Sequence, residues 1–129
     1  MSRLLLIEPD DAHCAATRAF LTNNGFSVDA ISHAAAEVDL SRYRAIVANT
    51  TAIADPDELS RLAAVPLVLL APGGSIQEAV RAIKQGAADY LQLPLEDDQL
   101  IAAIERSFSH LARADGPVPD PRPRFPMLG

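Results

Sequence analysis

Cysteine is almost missing from this chain. One residue, Cys14, among 129 excludes an internal disulfide and fits a reducing compartment. Near the start of a helix it reads as a small packing residue rather than a redox thiol. Positive charge is also scarce: Lys84 is the only lysine, ten arginines are scattered, and the formal net charge is −6. Neutralising phosphates needs a Lys/Arg surface, so this segment is not expected to bind nucleic acid directly. No run of about 18 apolar residues exists, and no basic stretch precedes an apolar core at the N-terminus. Neither a membrane span nor a signal peptide is therefore read, and a cytoplasmic location is the expectation. His13, His33 and His110 lack metal-ligand spacing and fit exposed helix positions. No Ser/His/Asp or Cys/His arrangement is legible, and there is no internal repeat.

What the chain does have is alternation. Short apolar runs at Arg3–Ile7, Ser27–Ile31, Arg44–Asn49, Leu67–Ala71 and Asp89–Leu93 alternate with amphipathic stretches, the βαβ signature of a parallel sheet. Asp10 or Asp11 can cap a first helix running to about Asn24, with Gly25 ending it. A weak second helix is expected from about His33 to Leu40. A short third runs from Pro56 to about Ala64, with Asp55 as N-cap and Glu58 completing a box. The fourth starts after Ser75, ends at Gly86, and carries the stripe Ile76, Ala79, Val80 and Ile83 at helical spacing. The fifth runs from about Asp97 to Leu111, with Leu100, Ile101, Ile104, Phe108 and Leu111 on one side. Five strands and five helices in alternation predict an α/β, doubly wound five-stranded parallel sheet. In such a sheet the crevice beyond the carboxyl ends of the strands is where ligands sit.

The residues at those strand ends carry a resemblance. Leu5-Leu6-Ile7-Glu8-Pro9-Asp10, Ala45-Ile46-Val47-Ala48-Asn49, Pro66-Leu67-Val68-Leu69-Leu70-Ala71-Pro72 and Gly86-Ala87-Ala88-Asp89-Tyr90-Leu91-Gln92-Leu93-Pro94-Leu95 stand in sequence order. Together they resemble a bacterial response-regulator receiver domain over about Leu4 to Leu111, which implies the flavodoxin-like (βα)5 strand order. The family pattern has a second acid where Pro9 stands, a phosphoacceptor Asp at Asn49, a switch Thr/Ser at Ala71 and a phosphate-binding lysine at Leu93. It also implies that Tyr90 is the switch aromatic, turned inward over the space that Ala71 leaves, and that Leu93-Pro94 is cis.

These departures bear on chemistry. A neutral amide at Asn49 lacks the anionic oxygen that forms an acyl phosphate. Loss of carboxylates at Pro9 and Asn49 leaves mainly Glu8 for a magnesium ion that prefers hard anionic oxygens. Leu93 removes the positive charge, and Ala71 cannot donate a hydrogen bond to phosphate. The expected domain is thus a degenerate, non-phosphorylatable receiver without catalytic residues, metal or cofactor. It would act in signal transduction or transcription regulation through protein–protein contact. The resemblance implies a homodimer or partner face formed by the fourth helix, fifth strand and fifth helix, with Arg81, Lys84, Asp89, Glu105 and Arg106 around it.

Two alternatives stand beside this. Asp10 or Asp11 could serve as a displaced phosphoacceptor, although capping of the first helix explains them plainly. The loop Ala71-Pro72-Gly73-Gly74-Ser75, with two glycines ahead of a capped helix, could bind a nucleotide or other anion, although it lacks the Lys-Ser/Thr of a P-loop. Only 16 residues separate Asn49 from Pro66, so the third helix is expected to be short. Residues 1–112 form the expected domain. Residues 113–129 hold five of the ten prolines and read as a semi-rigid linker to a further domain. Its apolar ending, Phe125-Pro126-Met127-Leu128-Gly129, is similar to the join between receiver and ATPase domains in sigma-54-dependent activators.

Overall fold

A computed structural model describes residues 3–33, 38–53, 55–94 and 96–108. Its sheet has five parallel strands in the order β2-β1-β3-β4-β5: β1 (Arg3–Ile7), β2 (Ser27–Ile31), β3 (Ala45–Asn49), β4 (Leu67–Pro72) and β5 (Asp89–Leu93). The chain winds outward first through β2, then reverses through β3 to β5. The turning point lies between β1 and β3, which pair from Leu4 with Ala45 to Ile7 with Ala48. The three central strands are almost continuously apolar because both of their faces are covered. Leu5, Ile7, Ile46, Leu67 and Leu69 fill one face, and Leu4, Leu6, Val47, Val68 and Leu70 fill the other.

Four α-helices lie among the described residues: α1 (Asp11–Asn23), α2 (Pro56–Leu62), α3 (Ile76–Lys84) and α4 (Asp97–Ser107). They correspond to the expected first, third, fourth and fifth helices. Three begin at a capping side chain: Asp10 accepts from the His13 amide, Asp55 from that of Glu58, and Ser75 from that of Glu78. Each satisfies an amide that the first helical turn leaves unpaired. Helix α1 closes at Asn24, and Gly25 takes φ +93°, a left-handed turn that glycine enters without steric cost. Helix α2 spans only seven residues, in line with the short connection between β3 and β4. The Leu93–Pro94 bond is cis.

The centre of the expected second helix, 34–37, lies outside the described residues. At its flanks His33, Val38 and Asp39 are not helical, and Leu40–Arg42 form one 3₁₀ turn capped by Asp39. With no strong apolar repeat, the Asp39 side chain wins by accepting from the Ser41 amide and hydroxyl. The apolar stripe of the fourth helix also does not face the core. Ile76, Val80 and Ile83 are 84%, 49% and 46% exposed; Ala82 is the buried residue of α3, and Ala79 is half-buried. Ala82 is the side chain of α3 that meets the core, and the larger side chains point away. In α4 the expected side does turn inward: Leu100 and Ile104 are buried, with Ile101 and Phe108 packed against them. Leu111 and the linker at 113–129 lie outside the described residues.

Candidate functional site

The floor of the crevice is built from the ends of β1 and β3. Both strands run straight into a polar residue, so Glu8 and Asn49 are carried below the surface by their apolar neighbours. They are 4% and 5% exposed. The Asn49 amide nitrogen donates to Glu8 Oε1 at 3.1 Å and to Oε2 at 3.3 Å. The Asn49 carbonyl oxygen accepts from the Thr51 amide at 2.9 Å and from its hydroxyl at 2.8 Å, capping the 3₁₀ turn Thr50–Ala52. This orientation of the amide satisfies all four groups. A carboxylate at position 49 would instead set two negative oxygens face to face.

Glu8 has two further neighbours. The Asp10 amide donates to its Oε2 at 3.2 Å, and His13 Nδ1 stands 3.6 Å from its Oε1. A buried carboxylate is tolerable only when hydrogen bonds replace its lost hydration, and here amide donors supply that replacement. The histidine was missed as a site residue in the sequence. The signal for it was its position in the first turn of the helix that follows the Glu8 strand end. Asp10 is occupied as the cap of α1, and Asp11 is exposed in its first turn. Cys14 is half-buried beneath this region; burial, and then the charge of Glu8, push its thiol up, which disfavours the reactive thiolate.

The receiver pattern implies a divalent cation at these strand ends. The residues present do not fit one: Pro9 is exposed and carries no donor, and both ends of the Asn49 amide are engaged. Among the described residues no group of three or more His, Cys, Asp or Glu side chains stands where it could hold a metal ion.

Leu93 and Ala71 lie on the far side of the crevice. Ala71 is buried at the end of β4. Leu93 is half-buried and lines, with Glu8 and His13, a cavity of about 520 Å³ between α1 and the start of α4. Tyr90 is partly buried, with its hydroxyl oxygen fully enclosed under the loop after β4 and without a hydrogen-bond partner. Burial, and then the charge of Glu78, push that hydroxyl up. The ring reaches this niche because residue 74 is glycine: a Cβ there would overlap the hydroxyl oxygen and stand 3.1 Å from the Ala71 methyl. The Gln92 side-chain amide donates to the Gly74 carbonyl, further fastening the loop to β5.

Of the expected interaction residues, Arg81 and Lys84 are exposed on α3, beside the outward apolar stripe, and Glu105 and Arg106 are exposed on α4. Asp89 pairs with Arg106 at 2.9 Å, which ties the start of β5 to α4 within the molecule.

The geometry is that of an open, doubly wound sheet whose crevice lies between the ends of β1 and β3, the class to which receiver domains belong. No protein-family model matches the chain. It is 29% identical over 136 residues to the transcriptional regulatory protein ZraR of Salmonella typhimurium, covering 98% of this chain and 31% of that protein. It is 36% identical over 112 residues to the transcriptional regulatory protein FixJ of Rhizobium meliloti, covering 78% of this chain and 53% of that one. A response-regulator receiver domain from Clostridium thermocellum superposes with a TM-score of 0.78 at 17% identity, covering 88% of this chain and 99% of that one. The chain belongs to the receiver-domain family of response regulators. It spans about a third to a half of the length of these curated relatives.

Proposed function

We propose that this domain is a receiver that takes no phosphoryl group and works through protein contact in a regulator of transcription. One observation carries the reading: the side chain at the acceptor position is an amide already hydrogen-bonded to Glu8 and Thr51. Three supporting features are Leu93 in place of a lysine, Ala71 in place of a hydroxyl residue, and Pro9 in place of an acid. With Glu8 balanced internally, the crevice has no step to catalyse. Transcription regulation is the role named for the ZraR and FixJ relatives. Residues 113–129 then serve as a Pro-rich linker towards a further domain, such as the ATPase domain of a sigma-54-dependent activator.

The contact surface in this reading is the face of α3, β5 and α4. Ile76, Val80 and Ile83 form an apolar strip there, rimmed by Arg81 and Lys84, and such a patch with a polar rim suits a protein partner or a second copy. The net charge of −6 argues against direct contact with nucleic acid.

Incubation with acetyl phosphate and magnesium, followed by intact-mass measurement, tests the reading. The mass is expected to stay unchanged, and a stable gain of about 80 Da, one phosphoryl group, overturns it. Fragmentation of such a species would show whether Asp10 or Asp11 had accepted the group.

A further inference from the structure

We infer that the cavity beside Glu8 is a binding site for a small organic cation, a protonated amine with an apolar body. The inference rests on the proposed reading in one respect, that no phosphoryl group enters this crevice. At about 520 Å³ the cavity is of the size that holds small molecules. Its walls are largely apolar: Phe20 on α1, Leu70 on the floor, and Leu93 and Leu100 on the other side. Glu8 supplies the negative charge at its inner end, and neither lysine nor arginine lines the cavity. Two features of different kind thus meet, a largely apolar cleft open to solvent and a single buried carboxylate.

The sign of the ligand follows from where the charges lie. Gly73, in the loop that an anion would use, lines the same cavity as Glu8. An anion on that loop would share the cleft with the carboxylate and meet no Lys or Arg side chain. An ammonium group brings the opposite balance, offering N–H donors to a carboxylate whose present partners are the Asp10 and Asn49 amides and, at 3.6 Å, the His13 imidazole. The apolar body gains by leaving water for the leucine and phenylalanine walls. Leu93 matters twice here, because it leaves the cavity both without its own cation and with a greasy wall.

The test uses the whole chain, labelled with ¹⁵N and titrated with 2-phenylethylamine, with 3-phenylpropionate and with inorganic phosphate at neutral pH. Saturable shifts centred on the amides of Glu8, His13, Gly73 and Leu93 are expected with the amine alone. Glu8→Gln should weaken amine binding about tenfold or more, the loss of a charge-assisted hydrogen bond. Leu93→Lys, which installs an ammonium within the cavity, should abolish it in a chain whose dispersed spectrum shows that it remains folded. Equal shifts with 3-phenylpropionate or phosphate, undiminished amine binding in a folded Glu8→Gln or Leu93→Lys chain, or no saturable shift with the amine would overturn the inference. The mass measurement reads a covalent change and this titration a reversible one, so failure of either is told apart from failure of the other.

Discussion

Helices α3 and α4 have similar apolar spacing and opposite fates. In α4 the large side chains Leu100 and Ile104 enter the core, whereas in α3 that task falls to Ala82, and Ile76, Val80 and Ile83 face water. The difference lies in what the second face offers. In α3 Ala82 occupies the contact, and the bulky residues point away from it. Periodicity identifies an amphipathic helix, but the identity of the small residues decides which side is laid down. An apolar strip left outside is costly to keep unless something covers it, which is why α3 rather than α4 carries the proposed contact surface.

The sharpest way to break this comparison is to truncate one side chain from each helix. Ile104→Ala should cost about 2–5 kcal/mol in chemical denaturation, as for a fully buried aliphatic residue. Val80→Ala should stay within about 0.5 kcal/mol, as for an exposed site, while lowering self-association or partner binding in sedimentation. Equal losses at the two positions would mean that the strip on α3 is core after all.

A smaller effect is expected at the Asn49 amide on the floor of the crevice. Asn49→Asp removes the donor that stands 3.1 Å from Glu8 and sets two carboxylates together. Losing a hydrogen bond to a charged group costs about 1.5–3 kcal/mol. Two like charges side by side add to that cost at neutral pH. Denaturation midpoints at pH 7 measure this, and a variant as stable as the parent would remove the argument from the Glu8–Asn49 contact.

The smallest effect belongs to the opposite edge of the sheet, where electrostatics are exposed. The Tyr43 hydroxyl, and then Arg3, hold the Asp29 carboxyl below its ordinary range. A depressed folded-state value stabilises the fold above the unfolded value of about 3.9 and loses that contribution as the pH falls through the folded one. Tyr43→Phe should therefore raise the Asp29 titration midpoint, followed by NMR, and flatten the acid limb of the stability curve. Tyr43 is itself pushed up, by burial first and then by Asp29, so its own contribution holds below about pH 10 and fades above it.

Much of the architecture is legible in the sequence, for physical reasons. Strand ends and helix caps depend on nearby residues, so Asp10, Asp55 and Ser75 each stand where their own chemistry requires. The far end of the second helix was not readable in the same way, because an Asp39 side chain competing for nearby donors leaves little trace in periodicity. In the crevice, the residues at the strand ends could be located by pattern. Their mutual arrangement could not: that Asn49 donates to Glu8 while accepting from Thr51, and that His13 comes within 3.6 Å of the same carboxylate, depends on register across β1 and β3. The inward placement of Ala82 likewise depends on how α3 is laid on the sheet, which no local sequence window contains.

Positions 74 and 90 are bound together by the niche that holds the tyrosine hydroxyl. A lineage that gained any side chain at the first would have to shrink the ring at the second or swing it outward, beside the strip on α3. Variation at one of these sites therefore constrains the other, and a loop change with no partner of its own would be felt on the proposed contact surface.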